Sequence, residues 1–243
     1  MISERVKTGI IGFDDKIQGG FIRGSINFVT GTTGTGKTAF CASFLYAGAT
    51  AGEKGLYITT EEREVDIKDD IKAMFSWNFD EFERHGLMEF ISIKPDIPAK
   101  MITGEDVSKV IKLYMYELMS KIEKEVKRFR AKRLVVDSVS LVELFIKDEY
   151  LRKIALMQLI DRLKELEITA VLTGAVPEGQ EALSTSGIIE FLTDSVVKLD
   201  FVPVAEEFKR TLTVRKMRRT DHSILIHPFE ITKEGVKIIE IRE

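Results

Sequence analysis

Cysteine is almost missing from these 243 residues: Cys41 is the only one. No internal disulfide is possible, and nothing suggests an oxidising compartment. Strong charge of either sign is missing too. Lys and Arg number 36 against 39 Asp and Glu, a formal net charge of -3. That balance gives no global attraction to nucleic acid or to an anionic membrane. No apolar run approaches the roughly 18 residues that span a bilayer. The opening MISERVKTGIIGFDD has no apolar signal core. The three histidines have no ligand-spaced partners, so no structural zinc is expected at His85 or His227. No repeat, linker or low-complexity segment divides the chain. The expectation is one soluble, cytoplasmic domain over residues 1–243 with no membrane partner. Its 44% hydrophobic residues suffice for a well-buried core.

What is present alternates. INFVT (Ile26–Thr30), GLYITTEE (Gly55–Glu62), LMEFISI (Leu87–Ile93), RLVVDSVS (Arg133–Ser140) and ITAVLTGAV (Ile168–Val176) read as strands. Helical segments lie between them at Ala39–Ala51, Val65–Phe75, about Thr103–Phe129 and Tyr150–Leu166. In the third, Val107, Val110, Ile111, Tyr114 and Leu118 keep helical spacing. This order predicts an α/β fold, a mostly parallel sheet with helices on both faces. After residue 194 the runs DSVVKLDFV, FKRTLTVRKMR, HSILIHPFEIT and GVKIIEIRE predict antiparallel strands added at a sheet edge. Trp77, Phe75, Phe79, Phe82 and Cys41 read as packing.

GTTGTGKT, Gly31–Thr38, matches G-x-x-x-x-G-K-[ST] in full, between a strand and a helix. Gly31, Gly34 and Gly36 permit positive φ and close backbone approach. Successive N–H groups then converge on an anion at a helix N-terminus. Lys37 is expected on the β/γ-phosphates and the Thr38 hydroxyl on Mg2+. The expected ATP contacts are Thr32, Thr33, Gly34, Thr35, Gly36, Lys37, Thr38 and Ala39.

A second Mg2+ contact comes from LVVDS, where an apolar strand delivers Asp137 to the sheet's carboxyl edge. Hydrolysis also needs a group to orient water. Glu61 and Glu62 end the strand YITTEE, and adjacent like charges raise one pKa. The competing reading is that both carboxylates open a helix and complement its dipole.

Taken together, GFDDKIQGGFIRGSINFVTGTTGTGKTAF, LYAGA, TTEER, LVVDS, STSGIIEFLTDSVVKL, VRKMRRTDHS and PFEIT resemble the KaiC-like ATPases of the RecA superfamily, from about Thr8 to Thr232. The resemblance implies a RecA-like P-loop NTPase core and a homo-oligomer, a hexameric ring with ATP between subunits. Clock-type members carry two such domains in tandem; this chain carries one. Their autophosphorylated Ser and Thr correspond here to Glu190 and Phe191, so autokinase activity is not implied. Thr173 and Gly174 end the strand that in RecA-like proteins senses the γ-phosphate and leads into a pore loop, here Val176–Gly187.

The remaining question is the cluster VRKMRR. With strict strand alternation, Leu212, Val214, Lys216 and Arg218 share one face, and Arg215, Met217 and Arg219 the other. The family resemblance makes Lys216 and Arg218 a finger reaching the neighbour's γ-phosphate, and places His222 beside that neighbour's nucleotide. The family's usual glycine after the finger arginine is Arg219 here. A second basic run, KRFRAKR (Lys127–Arg133), reads as cations complementing a helix C-terminus.

The function expected is Mg-dependent ATP hydrolysis coupled to a protein partner. The alternative is a RadA/RecA-paralogue-like protein with ATP-controlled DNA binding. Nucleic acid is not favoured, because Val176–Gly187 contains Glu178 and Glu181 but no Lys or Arg. Lys37→Ala should abolish ATP binding in a calorimetric titration. Retained binding would refute the phosphate-loop assignment.

Overall fold

The computed structural model describes residues 4–94, 107–146, 148–177 and 182–240. In chain order they form strands β1 (Arg5–Val6), β2 (Phe21–Ile22) and β3 (Ile26–Gly31), then helix α1 (Lys37–Thr50). Strand β4 (Gly55–Thr59), helices α2 (Glu64–Met74) and α3 (Phe79–Arg84), strand β5 (Met88–Ser92) and helix α4 (Val107–Phe129) follow. Next come β6 (Arg133–Asp137), α5 (Ser140–Phe145), α6 (Glu149–Glu165), β7 (Thr169–Ala175) and α7 (Ile189–Leu192). The chain closes with β8 (Ser195–Val204), β9 (Glu207–Met217), β10 (His227–Thr232) and β11 (Gly235–Ile238).

Nine strands make one sheet in the order β11-β10-β9-β8-β3-β7-β6-β4-β5. From β8 to β5 every pairing is parallel; β8–β9, β9–β10 and β10–β11 are antiparallel. The expected α/β class and the antiparallel carboxyl-terminal strands are therefore present. Within the parallel part, successive residues feed opposite cores, which is why its strands read as apolar runs. Tyr57, Val135 and Val29 join the layer under α1, α2 and α3. Leu56, Ile58, Leu134, Val136 and Phe28 join the layer under α4 and α6. On α4, Tyr114 and Leu118 are buried as their spacing predicts. The side chains of Val107, Val110 and Ile111, and residues 103–106, lie outside the described residues.

Helix α1 is buried nearly all round, Ala39 to Leu45 included. Small residues let it lie close to the sheet. A Cβ on Gly48 would sit 2.4 Å from the Arg133 side chain. Through that gap Arg133, only 3% exposed, donates to Glu53 at 2.8 Å and to the carbonyls of Lys7 and Phe44 at 2.7 Å. Its guanidinium lies 4.9 Å from the centre of the Phe44 ring. This one cation ties together the amino-terminal segment, α1 and the start of β6.

The carboxyl-terminal strands are fastened to α2 and α3 through an aromatic stack. Trp77 lies 4.1 Å from Tyr46 and 3.9 Å from Phe75, ring centre to ring centre. The β10–β11 turn meets it, since Lys233 donates to the Ala73 carbonyl at 2.7 Å and its own carbonyl accepts from Ser76 at 2.9 Å. Phe75, Phe79 and Cys41 are buried, as expected for packing residues.

Strict alternation fails in β9. Lys216 pairs with Val196 but Val214 with Val197, so Arg215 is an extra, unpaired residue. The bulge moves Met217 onto the face of Leu212 and Val214, and all three share one core. Lys216 is turned to the opposite face. The grouping of Lys216 with Leu212 and Val214 is thereby corrected: one inserted residue reverses every later side chain.

Removing the buried cation should be costly, because its partners lose their donors. Arg133→Ala is expected to destabilise the fold by about 3 kcal/mol or more, read by urea unfolding followed at Trp77 fluorescence.

Candidate functional site

Four parallel strands end side by side, and their carboxyl ends carry the predicted residues. Gly31 closes β3 in register with Ala175 of β7, and Asp137 of β6 pairs with Thr59 of β4. The loop 31–36 runs from β3 into α1, with Gly34 at φ 79° and Gly36 at φ 105°. Gly31 needs no positive φ. Its reason is close approach, since a Cβ there would lie 2.3 Å from the Leu199 carbonyl oxygen. The Thr35 hydroxyl donates to the Thr32 carbonyl at 2.8 Å, and Lys37 Nζ to the carbonyls of Gly31 and Thr32 at 2.9 Å. The lysine thus rests across the loop that its charge would share with phosphates. Burial holds the Lys37 ammonium below its ordinary pKa, while Asp137 and Glu61 pull the other way. Those three residues therefore act on one site.

The loop is also braced from outside. A Cβ on Gly36 would lie 3.1 Å from Ile231 and 3.7 Å from Phe229, both on β10. Arg210 of β9 stacks on Phe201, 5.3 Å from the ring centre, and donates to the Gly34 carbonyl at 3.3 Å. Sequence reasoning missed Arg210, Phe201, Phe229 and Ile231. Nothing in their spacing signals a contact across some 170 residues of chain.

Asp137 is fixed by both neighbouring strands. Its Oδ2 accepts from the Tyr57 hydroxyl and its Oδ1 from the Thr173 hydroxyl. Each oxygen keeps a second lone pair. A hydroxyl on α1, Thr38, and this single carboxylate are the hard oxygen donors that Mg2+ takes alongside phosphate. Among the described residues no three His, Cys, Asp or Glu gather into a cluster that could hold a metal by themselves.

Glu61 and Glu62 lie between β4 and α2. The helix begins at Glu64, with Arg63 at its N-cap, so neither carboxylate sits in the first turn. Its acidic complement is Glu64 and Asp66. Glu61 accepts from the Ser138 hydroxyl, which lies next to Asp137. Thr60 donates to the Ser138 carbonyl at 2.7 Å, locking β4's end to β6's end. The Glu62 carboxyl is raised above its ordinary value by desolvation first and by Asp137 second; Glu61 contributes less than either. Adjacency in sequence was thus the lesser cause.

Lys216, Arg218 and His222 are not part of this cluster. Lys216 is level with Val196, which pairs with Phe28, three residues before Gly31. That is roughly 10 Å along the strand at ~3.3 Å per residue, toward the sheet's amino edge. Lys216 Nζ donates to the carbonyls of Glu190, Phe191 and Thr193 at 2.8, 3.2 and 2.6 Å. Arg218 donates to the Phe191 carbonyl at 3.3 Å. The two cations still project together, now across the end of α7. His222 follows beyond β9, its Nδ1 3.0 Å from the Ser223 carbonyl oxygen. Arg219 has φ 54°, so the backbone keeps the turn a glycine would make.

In the other basic run acids and burial account for three of the five cations, and Arg130 and Lys132 are exposed. Lys127 pairs with Glu123 at 3.8 Å, Arg128 with Glu89 and Glu125, and Arg133 is the buried cation above. In the loop Val176–Gly187, residues 178–181, with Glu178 and Glu181, lie outside the described residues. Of the Glu190 and Phe191 pair, Glu190 accepts from Ser184 at 2.6 Å and Phe191 is exposed. No helix among the described residues is long and apolar enough to cross a membrane.

Comparison with known proteins gives one answer. The family model described as "ATPase: KaiC" matches residues 6–243. A UPF0273 protein of Thermotoga maritima is 33% identical over 97% of this chain and 96% of its own length. A circadian clock protein KaiC3 of Synechocystis is 30% identical over 98% of this chain, which spans 46% of that longer protein. Among solved structures, a KaiC-like protein of Pyrococcus horikoshii superposes with a TM-score of 0.81 at 36% identity, covering 98% of this chain and all of that one.

A non-glycine residue held in the left-handed region is strained, and Arg219 also adds positive charge beside Arg5. Arg219→Gly should raise stability by roughly 0.5–1 kcal/mol after the flexibility it adds to the unfolded chain, measured as a shift in the urea midpoint.

Proposed function

The chain belongs to the KaiC ATPase family, and on that premise we propose that each copy binds ATP with Mg2+ and hydrolyses it inside a hexameric ring. Family membership implies nucleotide binding. The finer reading rests mainly on where Lys216 and Arg218 lie. They sit at the edge of the sheet opposite their own phosphate loop, held by the carbonyls at the end of α7. A cationic pair so placed cannot complete its own site. In a head-to-tail ring it faces the next copy's triphosphate, because each subunit offers one surface as donor and another as acceptor.

In this reading the loop 31–36 and Lys37 hold the phosphates, and Thr38 and Asp137 would hold Mg2+. The metal would neutralise charge developing on the β- and γ-oxygens. Tyr57 and Thr173 orient Asp137 by donating to both its oxygens. Glu61 and Glu62 polarise the attacking water. Glu62, raised by desolvation and Asp137, is suited to take a proton. Lys216 and Arg218 of a neighbour stabilise the transferred phosphoryl group, with His222 beside them. Nucleotide state then passes to a protein partner. The pairing of Lys127, Arg128 and Arg133 with acids reduces the free positive charge of that run, which weighs against the DNA-binding alternative.

Lys216→Ala and Arg218→Ala should lower the ATPase rate by about 10³-fold with ATP binding retained, the scale of a finger cation. The specific activity of the unaltered chain should rise with protein concentration as sedimentation shows assembly. Full activity in a monomer at all concentrations would refute the shared site.

A further inference from the structure

One polar group beside the catalytic edge has no explained role. Tyr114 is only 6% exposed, and its hydroxyl is buried without a hydrogen-bond partner among the described residues. A buried O–H with no acceptor is unfavourable, since it has given up water and gained nothing. Most buried tyrosines find a partner for the hydroxyl. Phenylalanine would fill the same space without that penalty.

Topology places this hydroxyl. Strand β5 ends at the carboxyl edge with Ser92 level with Thr59, and β6 starts at the amino edge with Arg133 level with Gly55. Helix α4, which connects these parallel strands, must therefore run back from the carboxyl edge. Tyr114 lies about two turns into it, on the buried side that shares a core with Ile58 and Ile93. Glu61 lies just past the end of β4, three residues after Ile58. Electrostatics agrees: burial, and then the Glu61 charge, push the Tyr114 phenol up to about 12. Tyr114 thus stays protonated and can only gain by donating.

Among the described residues Glu61 in turn is held by one donor, the Ser138 hydroxyl. Ser138 has other partners, since its hydroxyl oxygen also accepts from the Ser140 N–H at 3.1 Å. That bond holds the Ser138 oxygen in place when Glu61 leaves, and the freed hydroxyl proton can rotate to another acceptor.

We propose that Tyr114 is a positioning residue for Glu61: its hydroxyl is the second donor that receives the carboxylate when it turns from Ser138 to the attacking water. The resting pair keeps Glu61 next to Asp137, and the tyrosine fixes it in the working orientation. This inference rests on the hydrolytic role given to Glu61 above.

The test is a double-mutant cycle on the full chain in its assembled state, with Tyr114→Phe, Glu61→Gln and both together. Tyr114→Phe should melt at or above the wild-type temperature and bind a fluorescent ATP analogue with unchanged affinity. Its kcat should fall by up to about a hundredfold, the scale of a ~1 Å misplacement of a reacting group, with KM unchanged. In the Glu61→Gln background the same change should cause no further loss. A wild-type rate in Tyr114→Phe overturns the proposal. So does a rate loss that comes with a lower melting temperature and recurs in full in the Glu61→Gln background. If Glu61→Gln alone keeps full activity, or the wild-type ring has none, the hydrolytic reading itself fails and this role falls with it. That outcome is recognised without reference to Tyr114.

Discussion

The carboxylate of Asp137 accepts a hydrogen bond from the strand on each side of its own, from Tyr57 on β4 and Thr173 on β7. The rest of the site depends on this. With β3 in register beside β7, it aligns four strand ends into one platform. The positions of the phosphate loop, Asp137, Glu61 and Glu62 are all set by the pairing of an otherwise apolar sheet. Parallel strands buried on both faces cannot slip by one residue without exchanging two cores. The rigidity of the site is thus inherited from hydrophobic burial, and the polar groups at the edge only use it.

On the proposed reading the platform of one copy is incomplete. Lys216 and Arg218 spend the isolated subunit's lifetime on three backbone carbonyls around the end of α7. Those carbonyls are weak competitors for a guanidinium or ammonium compared with a triphosphate. In the proposed ring a neighbour's nucleotide would therefore draw the pair off at small cost. Desolvation, followed by the charge of Arg218, lowers the Lys216 ammonium below its ordinary value, so an anion would relieve it.

Much of this was legible in the residues themselves. The phosphate loop and Asp137 were, because their chemistry needs contiguous residues on a strand end. The element order was, because buried strands and helices differ in length and period. The bulge at Arg215 was not, since an extra residue leaves no mark in a run of mixed polar and apolar side chains. Tyr57 and Tyr114 were not either. Each sits in an apolar pattern and reads as packing, and only the position of its hydroxyl in space separates it from phenylalanine. Glu61 and Glu62 do follow a strand end as their sequence predicts, but Asp137 does more to raise Glu62 than its sequence neighbour does.

Strand β10 touches the phosphate loop at Gly36 through Phe229 and Ile231. Its turn into β11 presses Gly235 against the indole of Trp77, where a Cβ would sit 3.0 Å from the ring. The chain's sole tryptophan, sandwiched between Tyr46 and Phe75, is thereby wired to the glycine-rich loop by a single short strand. Evolution has left the molecule with a built-in optical gauge: any flexing of the cradle that displaces β10 alters the stacking, and hence the emission, of one unambiguous chromophore.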